Sequence, residues 1–406
     1  MKDIAVGGGF QLGIGPEQII FTDGIQPFLF RTRTGALWVQ GQINYPAGYR
    51  APTGKSPMNP LGRVISRDGG KTWQRWWYRG DPIKAIGVTN ALWEGTAEPN
   101  LSWGGVGMEY DDGLIQLYHE YTFVGKEPGV FNGFVYESRD DLATLSDAIP
   151  IRIEIPQGRS GFDDSGFSFP GFCLHRSALA LPGSGDLLTT AYGWFHGDDQ
   201  PGAYEPKQTK MRVIVLRSAD RGRSWRYVST VAAPKTDGSD DTEEGFDEAT
   251  MARVSRGPRA GRLVVIMRTG SNSRPLCESH SDDEGLTWSQ PRKLELCGVD
   301  PALIEMKDGT LALLVGRRVW RGKDCFGGDG VTDGYYIGLS SDGGESWTHT
   351  RCWSTEPHAG PGACMTSYSG VCEVEPGVLL AVYDVGRWGA AVRYIAARRV
   401  RVTRTS

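Results

Sequence analysis

The sequence predicts an all-β protein, a single six-bladed β-propeller that spans residues 1–406, and two independent repeats carry this prediction. The first repeat is a short turn motif with four full copies, and the second is a hairpin that occurs six times. Glycine makes up 56 of the 406 residues, which is typical of a chain with many tight turns. The spacing of the repeats suits one four-stranded sheet with its loops, the unit of a propeller blade.

The turn motif reads Ser-x-Asp-x-Gly-x-(Thr/Ser)-Trp. Full copies begin at Ser66, Ser218, Ser281 and Ser340, and a degraded copy begins at Ser138. We expect the Asp to accept hydrogen bonds from backbone N–H groups, the Gly to adopt a positive φ, and the Trp to anchor the turn between sheets. These aspartates are therefore predicted to be structural and not catalytic.

The hairpin repeat is a turn glycine followed by an apolar run that predicts a second strand. Its six copies contain Gly35, Gly113, Gly185, Gly261, Gly309 and Gly377. Because only five copies of the Asp motif exist, the last blade is expected to be completed by the chain ends, with the run 390–402 pairing near residues 3–10. Closure of this kind removes exposed sheet edges.

Alignment of the six first strands predicts which residues surround a central mouth. One residue of each strand start falls there. The six residues are Gln26, Gly104, Arg176, Glu248, Asp300 and Tyr368, and all of them except Gly104 are polar. Charged groups that converge on one axis need a ligand, one another, or water. The alternative for Arg176 is a purely structural ion pair with Glu248 or Asp300.

Composition excludes several classes of protein. The 44 basic and 48 acidic residues are well mixed and give a net charge of -4, so no nucleic-acid partner is expected. Apolar runs are too short for a membrane span, and the first residues lack the apolar stretch of a secretory signal, so a cytoplasmic protein is expected unless a leader has been removed. The histidines lack metal-ligand spacing, and neither a metal nor another cofactor is predicted.

The four full motifs are Asp boxes, also called BNR repeats, and with the hairpins they resemble the sialidase (neuraminidase) superfamily over nearly the whole chain. Asp247-Glu248-Ala249 followed by Arg268 is similar to the family segment that carries a catalytic Glu and then a substrate-binding Arg. Ser367-Tyr368-Ser369 is similar to the segment with the nucleophilic Tyr. The resemblance implies an exo-acting glycoside hydrolase in which Glu248 takes the proton of Tyr368 as the phenol attacks an anomeric carbon.

The chain departs from the family pattern in the groups that bind and protonate an acidic sugar. The first arginine of the carboxylate-binding triad is replaced by Gln26, and the third is missing near Tyr335 and Tyr336. Residues 24–67 contain no Asp or Glu that could serve as the acid/base. We therefore predict a relative of the sialidases that cleaves another terminal sugar, with acidic sugars included, rather than a true sialidase.

The remaining site predictions follow from chemistry at the mouth. Asp300 is favoured as the general acid, and His175 and Glu120 are the other choices. An ordinary two-carboxylate glycosidase with Glu248 and Asp300 also stays open. The residues predicted to bind the carbohydrate substrate are Arg268, Arg176, His175, Gln26 and Arg317, the last with its neighbour Arg318.

Two rival functions remain at this point. One is a carbohydrate-binding propeller without catalysis, which the empty acid/base segment would suit. The other is a polysaccharide lyase, in which Tyr368 or His175 removes the proton beside a uronate carboxylate that an arginine neutralises.

Overall fold

The structure is a computed structural model that describes residues 2–22, 24–43, 61–76, 104–160, 171–203, 208–237, 239–270, 274–318, 334–354, 366–386 and 392–405. Every regular element in these ranges is a β-strand, which confirms the prediction of an all-β protein. A search of the same ranges finds no helix of the length and apolarity that crossing a membrane requires. In chain order the strands are β1 (Lys2–Gly7), β2 (Phe10–Ile14), β3 (Gln18–Thr22), β4 (Gly24–Arg31), β5 (Leu37–Ile43), β6 (Leu61–Ser66), β7 (Gln74–Arg75), β8 (Gly104–Glu109), β9 (Ile115–His119), β10 (Phe123–Val124), β11 (Val130–Ser138), β12 (Ile149–Glu154), β13 (Gly158–Arg159), β14 (Cys173–Ala180), β15 (Leu187–Phe195), β16 (Arg212–Ser218), β17 (Ser224–Ala232), β18 (Asp247–Arg253), β19 (Leu263–Arg268), β20 (Pro275–Ser281), β21 (Arg292–Cys297), β22 (Val299–Glu305), β23 (Leu311–Arg317), β24 (Gly334–Ser340), β25 (Thr348–Trp353), β26 (Ser369–Glu375), β27 (Val378–Val385) and β28 (Tyr394–Arg404).

These strands are arranged as consecutive antiparallel meanders. Three sheets are plain four-stranded meanders, formed by β4 to β7, β18 to β21 and β22 to β25. A ten-stranded sheet contains two further meanders, β8-β9-β11-β12 and β14 to β17, whose last strands β12 and β17 pair in parallel. The strands β26, β27 and β28 form the last meander, and the N-terminal strands extend it.

The two chain ends meet in this last sheet. Strand β28 pairs with β2 along residues 10–14 and with β3 along residues 18–22. The predicted partner, residues 3–10, is therefore wrong by about one strand, because β1 folds back on β2 instead of reaching β28. The cause is the run of three glycines at 7–9, all with positive φ, which reverses the chain there.

The Asp motifs form the turns that the sequence predicts. In each copy the Asp accepts hydrogen bonds from the hydroxyl two residues earlier and from the backbone N–H and hydroxyl four residues later, as Asp220 does from Ser218 and Ser224. The degraded copy keeps the same bonds at Asp140, although Leu142 stands in the glycine position with φ 61°. The motif therefore fixes the turn between the third and fourth strands of a meander.

The meanders pack against one another in chain order. Six apolar clusters lie between successive meanders, and one of them joins the last meander to the first through residues such as Leu380 and Leu37. The first strands also contact in sequence, β4 with β8, β8 with β14, β14 with β18, β18 with β22, β22 with β26, and β26 with β4. Residues that begin these strands therefore come together from remote parts of the chain.

Candidate functional site

The starts of the first strands share an unusual backbone. A non-glycine residue with φ between 36° and 62° occurs at Gln26, Arg176, Glu248, Asp300 and Ser367. Pairing with the second strand is interrupted at the first four of these places, for example between Asp247 and Thr250. A bulge of this kind turns the side chain away from the strand face, and left-handed backbone at non-glycine residues concentrates at functional sites.

The structure corrects the alignment of the last meander by one residue. Ser367, not Tyr368, has the backbone that matches Glu248 and Asp300. Strand β26 contains one extra residue, in a bulge between Glu373 and Glu375. Because the alignment counts residues back from the turn glycine, this extra residue shifts it by one position. Tyr368 is therefore the residue that follows the left-handed position in the last meander.

Glu248 and Tyr368 are 120 residues apart in the chain and in direct contact in the structure. The Tyr368 hydroxyl donates to Glu248 Oε1, which also accepts from Arg268 Nη1 at 2.7 Å. Oε2 accepts from the backbone N–H of Asp300 at 2.8 Å. Burial alone would raise the pKa of Glu248, but Arg268, His175 and the Tyr368 hydroxyl outweigh it and lower the pKa to about 2. Glu248 is thus an ionised acceptor at neutral pH.

Tyr368 is held as a neutral phenol. Burial and the nearby Glu248 carboxylate raise its pKa well above the ordinary value. Its backbone carbonyl accepts from the Tyr335 hydroxyl at 3.1 Å, and the Arg318 guanidinium lies 5.7 Å from the centre of its ring. The hydroxyl oxygen therefore has a fixed position beside a carboxylate that can accept its proton.

Asp300 occupies a closed ionic environment. It is fully buried, and both of its carboxylate oxygens accept from Arg176, with Nε at 2.9 Å from Oδ1. Oδ2 also accepts from the backbone N–H of Ser369 at 3.1 Å, and His175 Nε2 lies 3.3 Å from Oδ1. Because both oxygens of Asp300 already accept hydrogen bonds from other groups, the geometry does not favour its predicted role as general acid. The structural ion pair considered for Arg176 is the arrangement observed.

Glu120 has the opposite character. It follows β9 and is partly buried. Burial raises the pKa of its carboxyl from 4.5 to about 8, and the charges of Arg176, Asp300 and Glu248 also act on it. A carboxyl group that keeps its proton at neutral pH beside Glu248 has the property that a general acid needs.

The predicted substrate-binding residues fall into two groups. Arg268 donates to Glu248 and, at 2.6 Å, to Glu244, while His175 contacts the Ala249 carbonyl and Asp300, so both belong to the cluster around Glu248. Arg317 is in the second group, because its described contact is with Tyr336 and not with the cluster around Glu248. Its guanidinium lies over the ring of Tyr336, and the neighbouring Arg318 is the one beside Tyr368.

Gln26 and Asp384 lie next to this cluster. The backbone N–H of Gln26 donates to Asp384 Oδ2 at 2.8 Å, and the Ser367 N–H donates to Oδ1 at 3.0 Å. Thr366 and Tyr335 donate their hydroxyls to the same carboxylate. Sequence reasoning missed Asp384, although an acidic residue at the end of the apolar run of β27 was a usable signal.

Across the described ranges, no group of three His, Cys, Asp or Glu side chains is arranged to hold a metal ion.

Comparison with known proteins identifies the family. A family model described as a BNR repeat-like domain matches residues 101–381, and a model of the BNR/Asp-box repeat matches residues 64–75. The chain belongs to the BNR repeat-like domain family, in agreement with the Asp boxes found in the sequence. None of the curated proteins matches it.

Three solved structures illustrate the likeness. A protein of unknown function from Dyadobacter fermentans has 15% identity and a TM-score of 0.63, with 98% of this chain and 100% of that chain covered. The Hadza microbial sialidase Hz136 has 16% identity and a TM-score of 0.58, with 93% of this chain and 66% of that chain covered. An α-L-arabinanase from Penicillium chrysogenum, complexed with arabinobiose, has 13% identity and a TM-score of 0.57, with 95% of this chain and 98% of that chain covered. At these identities the likeness shows a shared fold.

Proposed function

We propose that this chain is a six-bladed β-propeller and an exo-acting glycoside hydrolase that cleaves a terminal sugar with Tyr368 as the nucleophile. The cyclic order of contacts among β4, β8, β14, β18, β22 and β26 supports six blades, as do the apolar clusters between successive meanders. Solved structures of similar fold include a sialidase and an arabinanase, which supports a glycosidase-like propeller.

One observation supports the chemistry most strongly, the hydrogen bond from the Tyr368 hydroxyl to Glu248. A phenol is a weak nucleophile unless an adjacent base accepts its proton during attack. The Glu248 carboxylate is ionised, and Arg268 and the Asp300 N–H fix its orientation. A base whose position is set by other groups is the arrangement that nucleophilic catalysis requires.

The proposed reaction has two steps. In the first, the Tyr368 oxygen bonds to the anomeric carbon, its proton passes to Glu248, and the glycosidic oxygen leaves with a proton from Glu120. In the second, water attacks the anomeric carbon and gives a proton to Glu120, while the bond to Tyr368 breaks and the phenol regains its proton from Glu248. Glu120 replaces Asp300 as the proposed acid because both oxygens of Asp300 accept hydrogen bonds from Arg176, whereas burial raises the pKa of Glu120 to about 8.

The test is turnover of a panel of aryl glycosides by the wild type and by Tyr368→Phe and Glu248→Gln. We expect both variants to lose about 10²- to 10⁴-fold in kcat, the range of a lost acid–base or nucleophilic group. Matched controls are Tyr227→Phe and Glu137→Gln, which change a partly buried phenol and carboxylate in β17 and β11. Equal losses in the variants and controls would contradict the proposal.

The same panel separates the two rival functions. Glycan binding without turnover would indicate a carbohydrate-binding propeller. Formation of an unsaturated uronate, detected by its ultraviolet absorbance, would indicate a lyase.

A further inference from the structure

Of the arginines near Tyr368, Arg176 and Arg268 are already engaged by carboxylates of the protein, whereas Arg318 donates its Nε to the Thr366 carbonyl at 2.7 Å. Both oxygens of Asp300 bind Arg176. Arg268 donates Nη1 to Glu248, Nη2 to Glu244 and Nε to the Gly270 carbonyl. A substrate carboxylate that sought a bidentate contact with either guanidinium would have to displace an internal partner.

Carboxyl groups also outnumber guanidinium groups in the described part of the site. Buried Glu244, Asp247 and Asp384 lie close to Glu248 and Asp300. Burial raises the pKa of Glu244 and Asp247, and their mutual contact raises the pKa of Asp247 further. An additional anion brought into these surroundings would lose its hydration among buried groups beside the Glu248 carboxylate, which is unfavourable.

Neutral amides occupy the position beside Tyr368 where the resemblance would require an arginine. The Gln42 Nε2 donates to Gln26 Oε1 at 2.6 Å, and the Gln26 N–H shares Asp384 with the Ser367 N–H. Gln42 is 1% exposed, yet its Oε1 has no hydrogen-bond partner in the part of the chain that the structure describes. An unpaired buried amide oxygen is costly, and the hydroxyl of a neutral sugar is a donor that could pair with it.

From these contacts we propose that the sugar bound beside Tyr368 is uncharged and that the Gln26–Gln42 amide pair binds its hydroxyl groups. This inference rests on the proposed function for the position of the reacting sugar. It narrows the predicted substrate by excluding acidic sugars, including uronates and sialic acid.

The test compares p-nitrophenyl glycosides of neutral pentoses and hexoses with the matching glucuronide and sialoside, so the leaving group is constant. The neutral class is expected to be favoured in kcat/KM by at least about 100-fold, since a buried unpaired charge is rejected strongly. Binding of the free sugars, measured by calorimetry, should show the same order. Gln42→Met should raise KM for the neutral substrate about tenfold with a smaller change in kcat, the size of one hydrogen bond.

Gln11→Met is the control, because Gln11 is a partly buried glutamine of β2 in the sheet of the chain ends. Preferred turnover of an acidic glycoside that Tyr368→Phe abolishes would overturn the inference and leave the proposed function intact. Binding of neutral sugars without turnover of any glycoside would support the inference and contradict the proposed function. Binding of neither class, or equal effects of Gln42→Met and Gln11→Met, would overturn the inference.

Discussion

Glu120 and Glu248 are two carboxyl groups of one site whose pKa values move in opposite directions. Burial raises the pKa of Glu120 to about 8, whereas Arg268 and its neighbours overcome the effect of burial and lower that of Glu248 to about 2. A pair of carboxyl groups separated in this way supplies an acid and a base at the same pH. This difference is the reason that we propose Glu120 as the acid, a role that residue type alone left open among Glu120, His175 and Asp300.

We expect Glu120→Gln to slow hydrolysis by a factor that depends on the leaving group of the glycoside. Glycosides with basic leaving groups need protonation and should lose about 10²- to 10⁴-fold in kcat, whereas activated aryl glycosides should lose far less. In the wild type, activity should decline above about pH 8, where Glu120 releases its proton. A uniform loss for all leaving groups would contradict the role of Glu120.

The same variant should alter the dependence of stability on pH. The unfolded chain releases the Glu120 proton near pH 4.5, whereas the folded state retains it up to about pH 8. The folded state thus binds more protons in this interval, and the contribution of Glu120 to stability declines as pH rises through it. In chemical unfolding experiments, the free energy of unfolding of Glu120→Gln should accordingly decline less between pH 5 and 8 than that of the wild type.

Asp384 acts through the backbone around Tyr368 and is a positioning residue. It is fully buried and accepts the N–H groups of Gln26 and Ser367, which belong to the first and last meanders. Asp384→Asn replaces one acceptor oxygen by a donor and leaves one of these N–H groups without its partner. We expect a loss of about 1–3 kcal/mol in the free energy of unfolding.

A purely structural role would not change the chemical step. We expect kcat of Asp384→Asn to fall at least about tenfold with KM nearly unchanged, because misplacement of a reacting group slows the reaction steeply. Asp186→Asn, at a partly exposed carboxylate paired with Arg217, is the control. Loss of stability with an unchanged kcat would contradict the positioning role.

The elements contribute regular turns and irregular starts. Asp motifs fix the turn between third and fourth strands, and the hairpin glycines fix the turn between first and second strands, all six with positive φ. The bulged starts of the first strands carry the site instead. A pattern search finds the regular turns because their residue types repeat, whereas residues at the bulged starts differ from one strand to the next.

Removal of one motif aspartate should lower stability without affecting chemistry. Asp220→Ala leaves the Ser224 N–H and two hydroxyls without an acceptor, so the free energy of unfolding should fall by about 1–3 kcal/mol. The turn joins β16 to β17, away from the first strand of its meander, so kcat should not change. Asp199→Ala, at an exposed aspartate, is the control. A similar effect of both variants in denaturant titrations would refute the structural role.

At the scale of the whole molecule, the order of the meanders brings Glu248 and Tyr368 together. The repeats predicted the all-β class and the hairpins, and the resemblance to the sialidase superfamily implied the contact between these two residues. Periodicity did not reveal the extra bulge near Glu373, so the alignment of the last strand was wrong by one residue. Nor did it predict which oxygens each arginine binds, since ion pairs across sheets depend on side-chain geometry that a repeat does not encode.

The identity of the general acid could not be predicted from the sequence for the same reason. Asp300 has the residue type of an acid and a predicted position at the mouth, yet both of its oxygens accept hydrogen bonds from Arg176. This contact, which the sequence does not reveal, distinguishes Asp300 from Glu120.

The central claim is that the Tyr368 oxygen forms a bond to the sugar. The direct measurement is to incubate the protein with a 2-deoxy-2-fluoro glycoside that carries an activated leaving group, since the fluorine slows breakdown of a covalent glycosyl intermediate. The labelled peptide is then mapped by mass spectrometry. The account predicts one sugar per chain, attached to Tyr368 and absent from Tyr368→Phe. A label on Glu248 or another carboxylate, or turnover with inverted stereochemistry and no label, would contradict it.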